Sequence, residues 1–405
     1  MSALEAKKLS EKVHDVIVLG AGISGLSFAL FAAQAGRRCL VLEAEDRVGG
    51  CLHSERLDTG YWYELGAHTC YNSYGTFIDL IEERSLSDRI IPRKKAPFKM
   101  LRDGTLRSIA RELNFFELLR SAPRLFKTKK PGRTVQSYFS AFVGAKNYQN
   151  VLGHFLSAVP SQRADELPAD LLFKKRPRRK DIIKSYSLAG GLQTLPDSIA
   201  DDPRITTLRS TKVASVEKSP EGRFVVTTVD GQTFESPQVV LALHVAAATE
   251  VVAAFPALAE ALGALESVQV DSVGVVVNKE RPALENVAGI VPADDLFFSA
   301  VSRDPLPDAK YRAFSFHFKP GHSLDTRLDR ITSVLGIERG DLLAIREKRV
   351  VLPSPRLGHG ARAAAIEKAA HDAGLFVTGN YFAGMAIEDC VKRSSIECAR
   401  MLARI

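Results

Sequence analysis

The sequence predicts a mixed α/β chain, α+β overall: a domain of parallel strands, a helical, basic insert, and a second domain rich in β-structure. Three observations predict it. Residues 15–50 read as strand, glycine-rich turn, helix and strand, closed by an acid. Residues 84–133 carry fifteen Lys/Arg against four Asp/Glu, with apolar residues interleaved. Beyond residue 246, short β-branched runs recur between turn residues. A length of 405 residues is ample for two or three domains.

The first unit is the most specific. Asp15-Val16-Ile17-Val18-Leu19 is a short apolar run, the pattern of a buried parallel strand. Gly20-Ala21-Gly22-Ile23-Ser24-Gly25 follows at once, then an Ala/Leu-rich helix to Ala35, ended by Gly36. Residues 38–42 form the second strand, and Glu43 stands at its end. In a Rossmann-like dinucleotide site, Gly20 permits the tight turn, Gly22 lets backbone approach a pyrophosphate, and Gly25 lets the helix pack close to the strand. The free N–H groups of the helix start favour phosphate charge. Glu43 lies at the distance expected of an acid that accepts from ribose hydroxyls. A glycine turn that merely packs would not need the flanking strands and the acid together.

The next residues narrow the dinucleotide. Glu43-Ala44-Glu45-Asp46-Arg47-Val48-Gly49-Gly50 resembles the extended signature of the FAD-containing amine oxidase superfamily. The resemblance implies noncovalent FAD, since there is no attachment-cysteine motif. It implies contacts from Gly20, Ala21, Gly22, Ile23, Ser24, Gly25, Glu43, Ala44, Arg47, Gly49 and Gly50.

Composition bounds the rest. The formal net charge is +8, which points to anionic partners such as carboxylated substrates or acidic lipid. No zinc-finger, RNP or helix-turn-helix pattern supports nucleic acid. The five cysteines are scattered, as expected of reduced thiols, and the nine histidines show no metal-ligand spacing. Residues 1–14 are polar and lack an apolar stretch, which predicts no secretory signal and a cytoplasmic protein.

In residues 84–133, Ile109, Leu113, Phe116 and Leu119 fall on one helical face, widened by Phe115, Leu118, Leu125 and Phe126. A basic amphipathic helix is one way to lie on the inner face of an anionic membrane; a helical subdomain with a basic rim is the other reading. Residues 174–180, Lys-Lys-Arg-Pro-Arg-Arg-Lys, form a second basic cluster, expected as a solvated or lipid-facing loop. Two strands are expected within residues 208–229 and another over 234–243. The runs at 272–278, 289–292 and 311–316 are expected as strands of the second domain.

Several later stretches extend the resemblance. Glu64-Leu65-Gly66-Ala67-His68 is similar to the segment that approaches the flavin in this superfamily. Gly190-Gly191-Leu192-Gln193-Thr194-Leu195 and Leu352–His359 resemble protoporphyrinogen and coproporphyrinogen oxidases, as does the C-terminal run from Gly379 to Val391. Ser394-Ser395 replaces that family's Ser-Gly. The resemblance implies further FAD contacts from Gly66, Ala67, His68, Val213, Gly379, Asn380, Met385, Ala386 and Ile387. It implies substrate contacts from His68, Tyr71, Gly191, Gln193 and His359. It also implies a discontinuous FAD-binding domain over residues 1–83, 187–245 and 355–405. The helical basic insert over 84–186 then binds substrate or membrane, and a substrate-binding β-sheet domain covers 246–354.

The activity implied is oxidation of a porphyrinogen, protoporphyrinogen IX or coproporphyrinogen III, in haem biosynthesis, with hydride passing to flavin N5 and O2 reoxidising it to give H2O2. The cofactor carries that chemistry, so no catalytic side chain and no metal are expected. The anionic tetrapyrrole needs Arg or Lys partners, several of which lie in residues 84–133. The chain is shorter than most of that family, which points to trimming near the substrate. Two alternatives stay open: another flavin oxidase or desaturase acting on an amine, polyene or secondary metabolite, and a non-catalytic FAD-binding protein. The lysine that amine oxidases hold near N5 has one counterpart in position, Lys279, but not in context. The oligomeric state is open, with a homodimer among the options.

Overall fold

The computed structural model describes residues 14–404, so expectations placed on residues 1–13 lie outside them. The first domain is built on a five-stranded sheet in the order Ile205–Leu208, Cys39–Leu42, Val16–Leu19, Val239–Leu241, Phe376–Val377, with every pair parallel. Val16–Leu19 is central and wholly buried, as expected of an uninterrupted apolar run covered on both faces. The helix Ile23–Gln34 covers one face, and the last helix, Ile387–Leu402, packs on it. A polar pin joins them inside a largely apolar core. Ser394 Oγ donates to the Ser24 carbonyl at 2.8 Å and lies 2.8 Å from Thr378 Oγ1.

The expected strand over 234–243 is two strands. Thr233–Ser236 closes a three-stranded antiparallel sheet with Val213–Lys218 and Phe224–Thr228, and Val239–Leu241 enters the parallel sheet. Pro237 stands between them and has no N–H for a ladder.

The second domain is a seven-stranded sheet in the order Leu342–Pro353, Ser267–Asn278, Tyr311–Phe318, Phe297–Ser302, Gly289–Pro292, Phe98–Arg102, Thr105–Ser108. Its last two strands lie in the stretch expected to be helical. Asp103-Gly104 turns between them with φ of 51° and 71°, the Asp-Gly hairpin signal that the basic composition obscures. The single amphipathic helix is likewise divided, into Ile109–Glu112, Phe115–Ser121 and a 3-10 turn at Ala122–Phe126. Asn114 starts the second by accepting from Glu117 N at 3.0 Å, and Pro123 lies in the first turn of the third. A small core of Val135, Tyr148, Leu156, Leu167 and Leu172 holds the insert together.

The basic cluster at 174–180 is a loop, as expected, with Lys175, Arg178 and Lys180 exposed, but its other cations are pinned. Arg176 pairs with Asp389 at 2.8 Å, Arg179 with Glu82 and Asp181 at 2.6 Å each, and Lys174 donates to the Ala383 carbonyl. Acids on neighbouring elements meet these three cations. Among the described residues no helix is long and apolar enough to cross a membrane.

One buried charge pair ties the second domain. Arg312 and Asp304, 5% and 2% exposed, share two hydrogen bonds of 2.9 and 2.6 Å. Removing one partner leaves the other charge buried and uncompensated, a cost of about 3–5 kcal/mol. Asp304→Ala should therefore lower the urea-denaturation midpoint strongly, while the exposed control Arg163→Ala should leave it in place.

Candidate functional site

The parallel sheet ends in two glycine loops that lie against each other. Gly49 N donates to the Ala21 carbonyl at 2.8 Å, and Gly22 and Gly49 form a parallel bridge. Side chains are excluded here. A Cβ on Gly25 would stand 1.9 Å from the Gly20 carbonyl oxygen, and one on Gly20, at φ +99°, 2.7 Å from that of Ala242. A Cβ on Gly50 would meet the Gly22 Cα at 3.1 Å. The helix Ile23–Gln34 opens from this cradle with Gly22 at its N-cap. It has no side-chain cap and no acid in its first turn, so its N–H groups are left for an anion. Glu43 is fixed beside them, its carboxylate accepting from Ala21 N at 2.7 Å and Glu45 N at 2.9 Å. Ala44 continues that backbone, and Arg47 donates to the Val48 and Gly50 carbonyls at 3.0 and 2.9 Å. Backbone cradle, uncapped helix and anchored acid fit a dinucleotide.

The segment expected to approach the flavin packs on the second glycine loop. Ala67 N donates to the Cys51 carbonyl at 2.9 Å, and a Cβ on Gly66 would stand 2.1 Å from that oxygen. The last helix starts at Ile387 with Ala386 as N-cap and, again, no side-chain cap. Its first-turn acids are used elsewhere: Glu388 accepts from Thr76 N and Phe77 N, and Asp389 pairs with Arg176 and Lys174. Gly379 and Asn380 lead towards this helix start, and Met385 Sδ lies 4.0 Å from Gln162 Nε2.

A polar row crosses the second sheet beside the cradle, and composition gave no hint of it. Ser272 lies in register between Lys348 on one neighbouring strand and His317 on the other. His317 Nδ1 is 2.9 Å from Ser272 Oγ, and His317 Nε2 is 3.1 Å from His68 Nε2. Lys348 Nζ donates to the Gly50 carbonyl at 2.7 Å, joining this row to the glycine loop. Burial, reinforced by Arg47, pushes Lys348 down to about 8. Burial likewise pushes His317 down to about 4 and His68 well below the usual imidazole range, so both rings are neutral at pH 7.

A small cavity is lined by His68, Trp62, Glu64, Arg93 and Arg303, among others. Arg93 Nη1 donates to the His68 carbonyl at 3.0 Å. Arg303 lies 4.5 and 4.4 Å from the ring centres of Tyr61 and Trp62, donates to the Leu306 carbonyl, and keeps a buried Nε without a partner. Glu64 is 6% exposed, and burial pushes it up to about 7 against the hydrogen bonds of Ser54 Oγ and Leu192 N.

The remaining expected contacts are dispersed. Val213 begins a strand whose approach passes the acid: Thr211 N donates to the Glu43 carbonyl at 2.7 Å. Gly191 and Gln193 pack on Ser54 and Glu64, with Ser54 N donating to Gln193 Oε1 at 3.2 Å. Tyr71 is 43% exposed and stands edge-on to Tyr74. His359 is buried at the start of its helix, hydrogen-bonded to backbone of Tyr381 and Phe382, with Nδ1 unpartnered. Lys279 Nζ donates to the Asp308 carbonyl at 2.9 Å; the lysine beside the cradle is Lys348.

Two outcomes follow from this geometry. Glu43→Lys sets a cation against the Ala21 N–H and the open helix start. It should be purified without stoichiometric flavin absorbance while keeping its far-UV circular dichroism. Glu64 carries a stability signal. Its pKa is raised on folding, from 4.5 to about 7, so the folded state holds the proton longer than the unfolded chain. The associated stability is complete below pH 4.5 and is lost as pH rises through about 7, a loss of about 3 kcal/mol. Urea midpoints at pH 5 and pH 8 should fall more steeply for the native chain than for Glu64→Gln.

Comparison with known proteins agrees with this architecture. Residues 23–402 match the flavin containing amine oxidoreductase family. A 15-cis-phytoene desaturase of Solanum lycopersicum is 35% identical over 89 residues, 22% of this chain and 15% of that protein, so the match spans under a sixth of that relative's length. The crystal structure of a "Putative protoporphyrinogen oxidase" from Exiguobacterium sp. 255-15 superposes with a TM-score of 0.81 at 17% identity, covering 97% of this chain and all of the other. A CLA-producing fatty acid isomerase from P. acnes gives 0.73 at 15%, covering 96% and 98%. At these identities the two structures share the fold. The protein belongs to the flavin containing amine oxidoreductase family, and its cofactor is FAD.

Proposed function

We propose that the chain oxidises a carboxylated, reduced tetrapyrrole, a porphyrinogen such as protoporphyrinogen IX or coproporphyrinogen III, to the porphyrin. The observation that carries this reading is the pair of arginines in the cavity beside His68. Arg93 and Arg303 are permanently charged, and the only carboxyl group lining the cavity, Glu64, is pushed up to about 7. An ammonium substrate would meet two guanidinium groups with at most one partly neutralised acid opposite, and a hydrocarbon polyene would leave both arginines without a counter-ion. A carboxylate is matched by both. The nearby Lys348 and the neutral imidazoles keep the surrounding field from turning negative.

Gly20–Gly25, Glu43, Ala44, Arg47 and Gly49–Gly50 hold the dinucleotide, and Gly66–His68 and Met385–Ile387 border its reactive end. When bound, FAD supplies hydride acceptance, with O2 as the final acceptor. The residues of the chain bind and orient. Arg93 and Arg303 grip a carboxylate-bearing arm, Trp62 and Tyr61 hold Arg303 in place, and the His68–His317 pair stays uncharged.

A fatty acid is a second carboxylated candidate, favoured by the same arginines and by the fold shared with the fatty acid isomerase. Purified flavoprotein in air should raise porphyrin fluorescence from protoporphyrinogen or coproporphyrinogen above the spontaneous rate. Arg93→Leu and Arg303→Leu should each raise KM about tenfold or more, the loss of one charge-assisted contact of about 1.5–3 kcal/mol. No acceleration with either porphyrinogen from protein that retains FAD would refute the reading, and flavin reduction by an unsaturated fatty acid would replace it.

A further inference from the structure

We propose that a second small cavity, bounded by Tyr61, Lys279, Asn286 and Arg303, binds a small oxyanion, a carboxylate or inorganic phosphate. It shares Arg303 and Leu306 with the cavity beside His68, and its other lining residues are different. Hydrogen-bond donors here outnumber their partners. Tyr61 is 5% exposed, and its hydroxyl is buried without a hydrogen-bond partner. The charged groups that act on that hydroxyl are Arg303, Asp308 and Asp304, all of which line this cavity. Arg303 spends Nη1 on the Leu306 carbonyl and leaves Nε buried and unpartnered. Lys279 donates to the Asp308 carbonyl at 2.9 Å, and among the described residues no acid lies within 4 Å of its ammonium group. An ammonium carries three N–H donors, so most of its capacity is unused.

The acceptors, in contrast, are engaged. Asp304 accepts from Arg312 through both oxygens, and from Val287 N at 2.9 Å. One oxygen of Asp308 accepts from Lys310 N and Tyr311 N at 2.8 and 3.0 Å. Arg312 and Asp304 neutralise each other, so Lys279 and Arg303 stand against the single charge of Asp308. The balance is positive. A cation would meet two like charges here and find few free acceptors. An oxyanion can accept from the Tyr61 hydroxyl, from Arg303 and from Lys279 together, and it gives a buried donor the partner whose lack is costly. Lys279 and Asn286 are exposed, so the cavity is open to solvent on their side.

Calorimetric titration of the purified FAD-bound protein with sodium phosphate, and separately with sodium acetate, tests this against sodium chloride of equal ionic strength. At least one of the two should bind saturably, and the one that does identifies the oxyanion. Tyr61→Phe keeps the ring against Arg303 and removes only the hydroxyl. It and Lys279→Met should each weaken that binding about tenfold, the loss of one hydrogen bond to a charged group. Arg93→Leu alters only the cavity beside His68 and should leave the binding unchanged. The bound anion should also raise the urea midpoint of the native chain more than that of Tyr61→Phe. Without the anion, the midpoint of Tyr61→Phe should be no lower than the native one, because the hydroxyl it loses has no partner. No saturable binding of either anion would overturn the proposal, since the cavity would then hold water only. So would binding that Arg93→Leu abolishes and Tyr61→Phe retains, because the anion would then sit beside His68. None of these readouts uses porphyrinogen oxidation, so the two proposals can fail separately.

Discussion

The exclusion of side chains between two glycine loops is the constraint on which the site depends. Gly25 brings the first helix so near the Gly20 turn that its missing Cβ would stand 1.9 Å from a carbonyl oxygen. That approach aims the helix N-terminus into the space beside Gly49 and Gly50. The same helix then receives the last one through the Ser24–Ser394 hydrogen bond. Backbone that meets at residue 25 therefore helps place the helix start at residue 387. The close contact is local, but its effect reaches the other end of the chain because both helices are rigid and share a buried face.

The parts of the fold that were legible in the sequence are those where one residue type has one physical use. Gly20, Gly22 and Gly25 between two apolar strands, with Glu43 at the second strand's end, leave little freedom of interpretation, and the structure brings all four together. The insert was less legible. Fifteen cations in fifty residues read as an amphipathic helix. The strands Phe98–Arg102 and Thr105–Ser108 are specified instead by Asp103-Gly104, a two-residue signal inside a strongly basic background. Of the polar row only His68 was marked in the sequence, by the family resemblance, and its partners were not. Lys348, Ser272, His317 and His68 come from four separate segments, and only strand register unites them. No local pattern marks a residue whose neighbours are set by tertiary pairing.

Electrostatics give the site a consistent sign. Arg47, Lys348, Arg93 and Arg303 converge from four parts of the chain. The means of tolerating so many cations differ. Arg47, Arg93 and Arg303 spread their charge onto backbone carbonyls. Lys348 donates to the Gly50 carbonyl and is pushed towards neutrality by burial. The two histidines stay uncharged. Glu64, the buried acid nearest the cavity, is bound by Ser54 and Leu192 and holds its proton to near neutral pH. The result is a site whose cations are held by carbonyls rather than by acids, with Glu43 as the anchored acid of the cradle.

The basic residues of the chain divide by what surrounds them, and this division separates roles that a charge count merges. Arg176 and Arg179 meet acids on helices Gly75–Glu83 and Ile387–Leu402 or beside them, so they hold elements together. Arg93 sits in the cavity with a carbonyl partner and no paired acid, so its charge is available to a ligand. The exposed cations around Phe116 and Phe126, among the described residues, have no acid within 4 Å. Unpaired exposed charge costs little in water, so stability alone neither demands nor removes it.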